Sequence, residues 1–167
     1  MTDTTPLRRA IRPLPTIAAA AALAALLAAC SAFSGGGAPA ALPAGLSARM
    51  DQPGATLDRA QALGLINSYR ASVGAGALTA DASLDAQAQE LANQYAQTGT
   101  APRPPQGVAA MRSSAGYATF AETFSGWRNS SPDAAALATP GARRAGIAVA
   151  ANPTSAYGVH WVLLVAQ

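Results

Sequence analysis

The stretch Arg143–Gln167, RRAGIAVAANPTSAYGVHWVLLVAQ, decides the fold. Within it, Gly146-Ile147-Ala148-Val149-Ala150 is a short apolar run with two β-branched residues, and it predicts a strand. Asn152-Pro153-Thr154-Ser155 follows with the residue types of a turn. Tyr157–Ala166 then predicts a second, longer strand. Its positions Tyr157, Val159, Trp161, Leu163 and Val165 recur at period two and mark the better-buried face. An antiparallel hairpin therefore closes the chain.

Upstream of the hairpin the period changes from two to that of helices. Leu57, Ala60, Ile66, Tyr69 and Val73 fall near helical spacing over residues 57–73, with Gly74 as a stop. Leu84, Ala88, Leu91 and Tyr95 line a second helix over Ser83–Gln97, ended by Gly99 and the run TAPRPPQG at Thr100–Gly107. Thr119-Phe120-Ala121-Glu122 has the spacing of a capping box, in which hydroxyl and carboxylate each satisfy the other residue's backbone N–H. Phe120, Phe124 and Trp127 then share one face of a third helix. Ser131-Pro132-Asp133 is a further helix start, with a cap, Pro at N1 and an acid in the first turn. Helices first and a hairpin last make an α+β domain, about residues 55–167.

The N-terminal third has a different texture. Arg8, Arg9 and Arg12 stand against one acid, Asp3, and Thr16–Ala29 (TIAAAAALAALLAA) carries no charge. That is the charged segment and short apolar segment of an export signal. As a helix, Thr16–Ala29 reaches only about 21 Å, short of a ~30 Å hydrocarbon core. The stretch ends Leu27-Ala28-Ala29-Cys30, which resembles a bacterial lipobox, and Cys30 is the only cysteine in the chain. Residues 1–29 are thus expected to be a lipoprotein signal, with Cys30 lipidated and first in the mature chain. Ser31 in place of an acid resembles the outer-membrane sorting pattern, which implies an outer-membrane lipoprotein facing the periplasm, ahead of the inner membrane. With that thiol acylated no disulfide is available, so the domain stands on its core. Residues 30–54, rich in Gly, Ala and Pro, are expected to form a flexible tether.

Charge excludes one large class of function. Without residues 1–29 the chain keeps eight Arg and seven acids, a formal +1, and there is no lysine anywhere. Nucleic-acid binding is not implied. The expected partners are the membrane, through the lipid, and a small apolar ligand or envelope component, with the domain monomeric.

Two segments carry a family resemblance. LINSYRASVGAGALTADASLDAQAQELA (Leu65–Ala92) is similar to the opening of bacterial CAP domains. These are also called SCP-like, in the superfamily of cysteine-rich secretory, antigen 5 and pathogenesis-related proteins. SAGYATFAETFSGWRNSSPD (Ser114–Asp133) and Arg143–Gln167 resemble that family's central and C-terminal motifs in the same order. The resemblance implies an α–β–α sandwich with a cleft in which two histidines and one or two glutamates hold a divalent cation. This sequence departs from that set position by position. Ala101 stands for the first histidine, Met111 for the glutamate with Arg112 beside it, and Asp133 for the second histidine. Residues 1–159 contain no histidine. A zinc site needs at least three protein ligands, so no metal and no cofactor is expected.

Other candidates have structural explanations. Glu122 is a helix cap first and a cleft-lining group second. Asp133 is a helix-start acid before it is a ligand. His160, the sole histidine, lies on the less apolar side of the last strand and matches no cleft position. No GxSxG elbow supports Ser-His-Asp chemistry. The expectation is a lipid-anchored, non-catalytic CAP-like binding or envelope-associated module. The alternatives are a divergent envelope hydrolase using Asp133 and Glu122 as a carboxylate pair, and a carrier of a small apolar lipid.

Overall fold

The computed structural model describes Met1 and residues 41–167. Apart from Met1, the expected signal, Cys30 and the first part of the tether lie outside the described residues. Five helices are present among those residues: α1 (Ala44–Ser47), α2 (Arg59–Ser72), α3 (Ala82–Thr98), α4 (Phe120–Asn129) and α5 (Ser131–Leu137). The strands are β1 (Thr79–Ala80), β2 (Ala110–Ala115), β3 (Arg144–Ala151) and β4 (Val159–Ala166). They form one sheet in the order β1-β3-β4-β2, with β1 parallel to β3 and the other pairs antiparallel.

The central strand β4 is buried along its whole length, because helices cover both faces of the sheet. Val159, Trp161, Leu163 and Val165 face a core made with Ile66 of α2, with Phe120, Phe124 and Trp127 of α4, and with Leu137 of α5. Val162, Leu164 and Ala166 face the opposite way, against Leu84, Ala88 and Ala92 of α3. The period-two face predicted from the sequence is therefore real, and the reverse face is buried as well. This is the α–β–α sandwich. At Gly146 the first turn of α3 lies so close to β3 that a Cβ would overlap the backbone of Leu84 and Asp85. Only glycine permits that approach.

The helix ends follow the sequence closely. Asp58 accepts the Gln61 N–H at 2.9 Å to start α2, and Asp81 accepts from Ser83 and Leu84 to start α3. Gly99, at φ 68°, ends α3 and donates its N–H to the Tyr95 carbonyl. The capping box opens α4: Thr119 N–H donates to Glu122 Oε2 at 3.0 Å, and Glu122 N–H donates to Thr119 Oγ1 at 3.2 Å. α5 starts after Ser130 with no side-chain cap, so the cap expected at Ser131 is absent and Pro132 and Asp133 carry the signal.

Several expectations are corrected. The tether was expected to run to residue 54, yet Leu46 and Met50 are each only 4 % exposed and pack in the core. Burying each stabilises the fold by about 1.5–3 kcal/mol, enough to draw a Gly- and Pro-rich segment onto the domain. In α2 the buried positions are Ala62, Ile66 and Arg70, while Val73 is half exposed. Arg70 holds its place through carbonyls: Nε donates to Gly76 O and Nη1 to Leu137 O, each at 2.7 Å, with weaker bonds to Thr139 and Ala142. Tyr157 lies outside β4 and is exposed. Strands β1 and β2 have no local signal in the sequence.

The outer edge of β3 is closed by side chains where the two-residue β1 ends. Ile147 N–H donates to Asp85 Oδ1 at 2.8 Å, Arg59 Nε to Ile147 O at 2.8 Å, and Gln89 Nε2 to Val149 O at 3.0 Å. These contacts satisfy backbone groups that would otherwise invite another strand.

Candidate functional site

Strand β2 alternates its side chains between the two layers, and that alternation separates the residues expected to share a cleft. Met111 pairs with Leu164 in the register and turns toward α3, where it is buried in the core. Arg112, the next residue, pairs with Leu163 and turns toward the opposite layer. There its Nε lies 3.3 Å from Asp133 Oδ1, and its Nη2 donates to Pro132 O at 3.4 Å. The first turn of α5 thus delivers a carboxylate to a guanidinium on β2. Both side chains are 31 % exposed, so solvent screens this pair in part.

The other two candidates lie elsewhere. Ala101 is exposed and borders a groove of about 500 Å³ with Leu91, Gln94 and Arg103, which reaches neither Met111 nor Asp133. Glu122 is engaged at its own helix cap. Of the four positions, the structure joins none directly to another; Asp133 meets Arg112 instead.

A divalent cation does not fit this arrangement. The three positions supply a methyl group, a buried thioether and one carboxylate, and a cation already lies against that carboxylate. Among the described residues no three His, Cys, Asp or Glu side chains gather closely enough to hold a metal ion.

His160 has no exposed surface and lies on the α3 side of β4. Its ring meets Tyr95 edge-on at 4.8 Å between centroids, and its Nε2 is 3.5 Å from Ser155 Oγ. Burial pushes the imidazole below its ordinary range, with a backbone contact at Ala150 opposing. The period-two pattern puts His160 on the less apolar side of the strand. Its neighbours Ser155 and Tyr95 have no local signal, since only the hairpin and α3 together create the contact.

A groove of about 350 Å³ runs between the Met50–Ala55 segment and the β3–β4 hairpin, lined also by Val149 and Pro153. Another, of about 360 Å³, lies between α2 and α4 beside Tyr69, Phe124 and Arg128. No helix among the described residues is long and apolar enough to cross a membrane.

Comparison with known proteins gives a consistent result. The sequence pattern of the cysteine-rich secretory protein family matches residues 63–165. Among solved structures, an outer surface protein from Borrelia burgdorferi is similar with a TM-score of 0.54 at 18 % identity, over 66 % of this chain and 92 % of its own. MpPR-1i is similar with a TM-score of 0.54 at 18 % identity, over 64 % of this chain and 88 % of its own. At that identity these two likenesses establish the fold. No curated protein sequence matches the chain.

Proposed function

The chain belongs to the cysteine-rich secretory protein family, and from that premise we propose that it is a lipid-anchored, non-catalytic module of the bacterial cell envelope. Cys30 carries the lipid, the outer membrane holds the anchor, and the domain faces the periplasm. The support for the anchor is the sequence of residues 1–30. A lipobox follows a charged and then an apolar segment, and it holds the chain's one cysteine. The similar Borrelia burgdorferi protein is named as an outer surface protein, which agrees with a place in the envelope.

The observation that carries the non-catalytic reading is the pairing of Asp133 with Arg112. That carboxylate is already engaged by a guanidinium from the neighbouring strand, so it is occupied by a structural contact and does not face a second acid. The second carboxylate of the hydrolase alternative, Glu122, closes the cap of α4. Each acid thus has a structural partner, and the family's cation has no ligand set to enter. What remains is a surface for binding a component of the envelope, as a monomer and without a cofactor.

Zinc titration of the full-length chain followed by thermal unfolding tests this reading. The expected result is no stoichiometric binding and a midpoint unchanged by chelator. Tight one-to-one zinc binding, or a hydrolytic activity that Asp133→Ala abolishes in a folded protein, overturns it.

A further inference from the structure

At the turn end of the hairpin, one titratable group is buried where no charged group faces it. His160 is the second residue of β4 and pairs with Ala150 of β3 and Ala115 of β2. From α3 it meets the Tyr95 ring, and from the turn it meets Ser155. Its Nδ1 is buried without a hydrogen bond of good geometry, and the Ala150 backbone is the polar group that favours the charged ring. Ser155 Oγ accepts the Gly158 N–H at 3.0 Å and keeps its O–H free to donate to a neutral Nε2.

No charge faces the ring. The carboxylates of α3 are Asp85, bonded to the Ile147 N–H, and Glu90, which is exposed. On β2, Arg112 pairs with Leu163, three residues along β4, and on β3, Arg144 pairs with Ala166 at the far end. Tyr157, beyond Tyr95, completes the titratable groups of the turn. Among the described residues His160 takes part in no ion pair.

The turn above it is lightly held. Asn152 Nδ2 donates to Ala96 O at 2.8 Å, which with the Tyr95 and Ser155 contacts joins the turn to α3. Pro153, Thr154, Ala156 and Tyr157 are exposed. By contrast, Val162, Leu164 and Ala166 are locked under α3. Local opening follows the path of fewest buried contacts, here the turn.

We propose that His160 pins the Asn152–Gly158 turn to the C-terminal half of α3, and that protonation releases it as a reversible acid-operated latch. The neutral ring accepts from Ser155 and packs on Tyr95. The imidazolium carries its charge in a fully buried site with no carboxylate, where the Ala150 backbone and the Ser155 hydroxyl do not offset the lost hydration, so it moves toward water and lifts the turn. Closed, the latch binds no proton; open, it binds one. Opening therefore grows about tenfold per pH unit below about 6.5.

Amide hydrogen exchange on the full-length chain from pH 7.5 to 4.5, corrected for intrinsic rates, tests this directly. Protection of residues 152–158 and of the end of α3 should be flat above about pH 6.5 and fall by about tenfold per unit below it, while residues 161–166 stay protected. His160→Phe keeps the ring against Tyr95 and should abolish the response. Flat exchange in the parent protein, or the same fall in His160→Phe, overturns the latch. If that variant fails to fold, the His160 ring titration by NMR replaces it. Ring protonation coincident with turn opening supports the proposal, and either event without the other refutes it.

Discussion

Arg112 Nε faces Asp133 Oδ1 at 3.3 Å, joining the edge strand β2 to the first turn of α5. This contact stands at positions that the family resemblance assigned to a metal-binding cleft, and it sets a guanidinium against the carboxylate there. A double-mutant cycle with Arg112→Met and Asp133→Asn should return a coupling of about 0.2–1 kcal/mol, as for other partly exposed pairs. Chemical denaturation of the four proteins measures it. A coupling indistinguishable from zero would remove the pair as a link between β2 and α5.

Arg70 is a larger stake. The residue is 1 % exposed, and burial lowers its proton affinity, yet its hydrogen-bond partners are backbone carbonyls. Replacing it with Met orphans carbonyls from the segments after α2 and α5. The expected loss is about 3 kcal/mol or more, read as a shift of the urea midpoint. Arg70→Lys should also destabilise, because one ammonium cannot reach the same fork of acceptors.

Gly146→Ala tests the closest backbone approach at any described glycine. The added methyl overlaps the backbone of Leu84 and Asp85, so α3 must move away from β3. A cost of about 1–3 kcal/mol is expected from such overpacking. Gly64, which has open space about its Cβ position and lies within α2, is the control. Gly64→Ala should stabilise by several tenths of a kcal/mol, since alanine is the better helix former.

Asp81 sets an acid limit distinct from that of His160. The Leu84 N–H and then Arg144, at 2.7 Å, hold its carboxyl below the ordinary carboxylate range. A depressed carboxyl adds stability above its unfolded value near 3.9, and that stability is lost as pH falls through the lower folded value. Asp81→Asn should therefore flatten the stability profile below about pH 4 while leaving the region from about 6.5 to 5 unchanged. Thermal melts of both proteins across this range separate the two groups.

How far the sequence reveals this molecule depends on where each contact comes from. Local signals read well: the Thr119–Glu122 box, the Gly99 stop and the hairpin strands depend on neighbours within a few residues. Strands β1 and β2 do not, because β2 exists only by pairing with β4, some 50 residues later in the chain. Met50 looked like linker because its apolar neighbours come from elsewhere in the chain. The candidate cleft was legible only as a set of substitutions. That Arg112 turns toward Asp133 while Met111 turns away follows from the β2 register, which no local pattern encodes.

The lipid anchor at Cys30 rests on sequence alone, and it is the centre of the proposed function. Mass spectrometry of the N-terminal peptide, taken from protein in the membrane fraction of the producing bacterium, tests it directly. The predicted result is a chain beginning at Cys30, heavier than its sequence mass by a diacylglycerol thioether. A chain beginning at Met1, or one cleaved near Ala29 with an unmodified thiol, would contradict it.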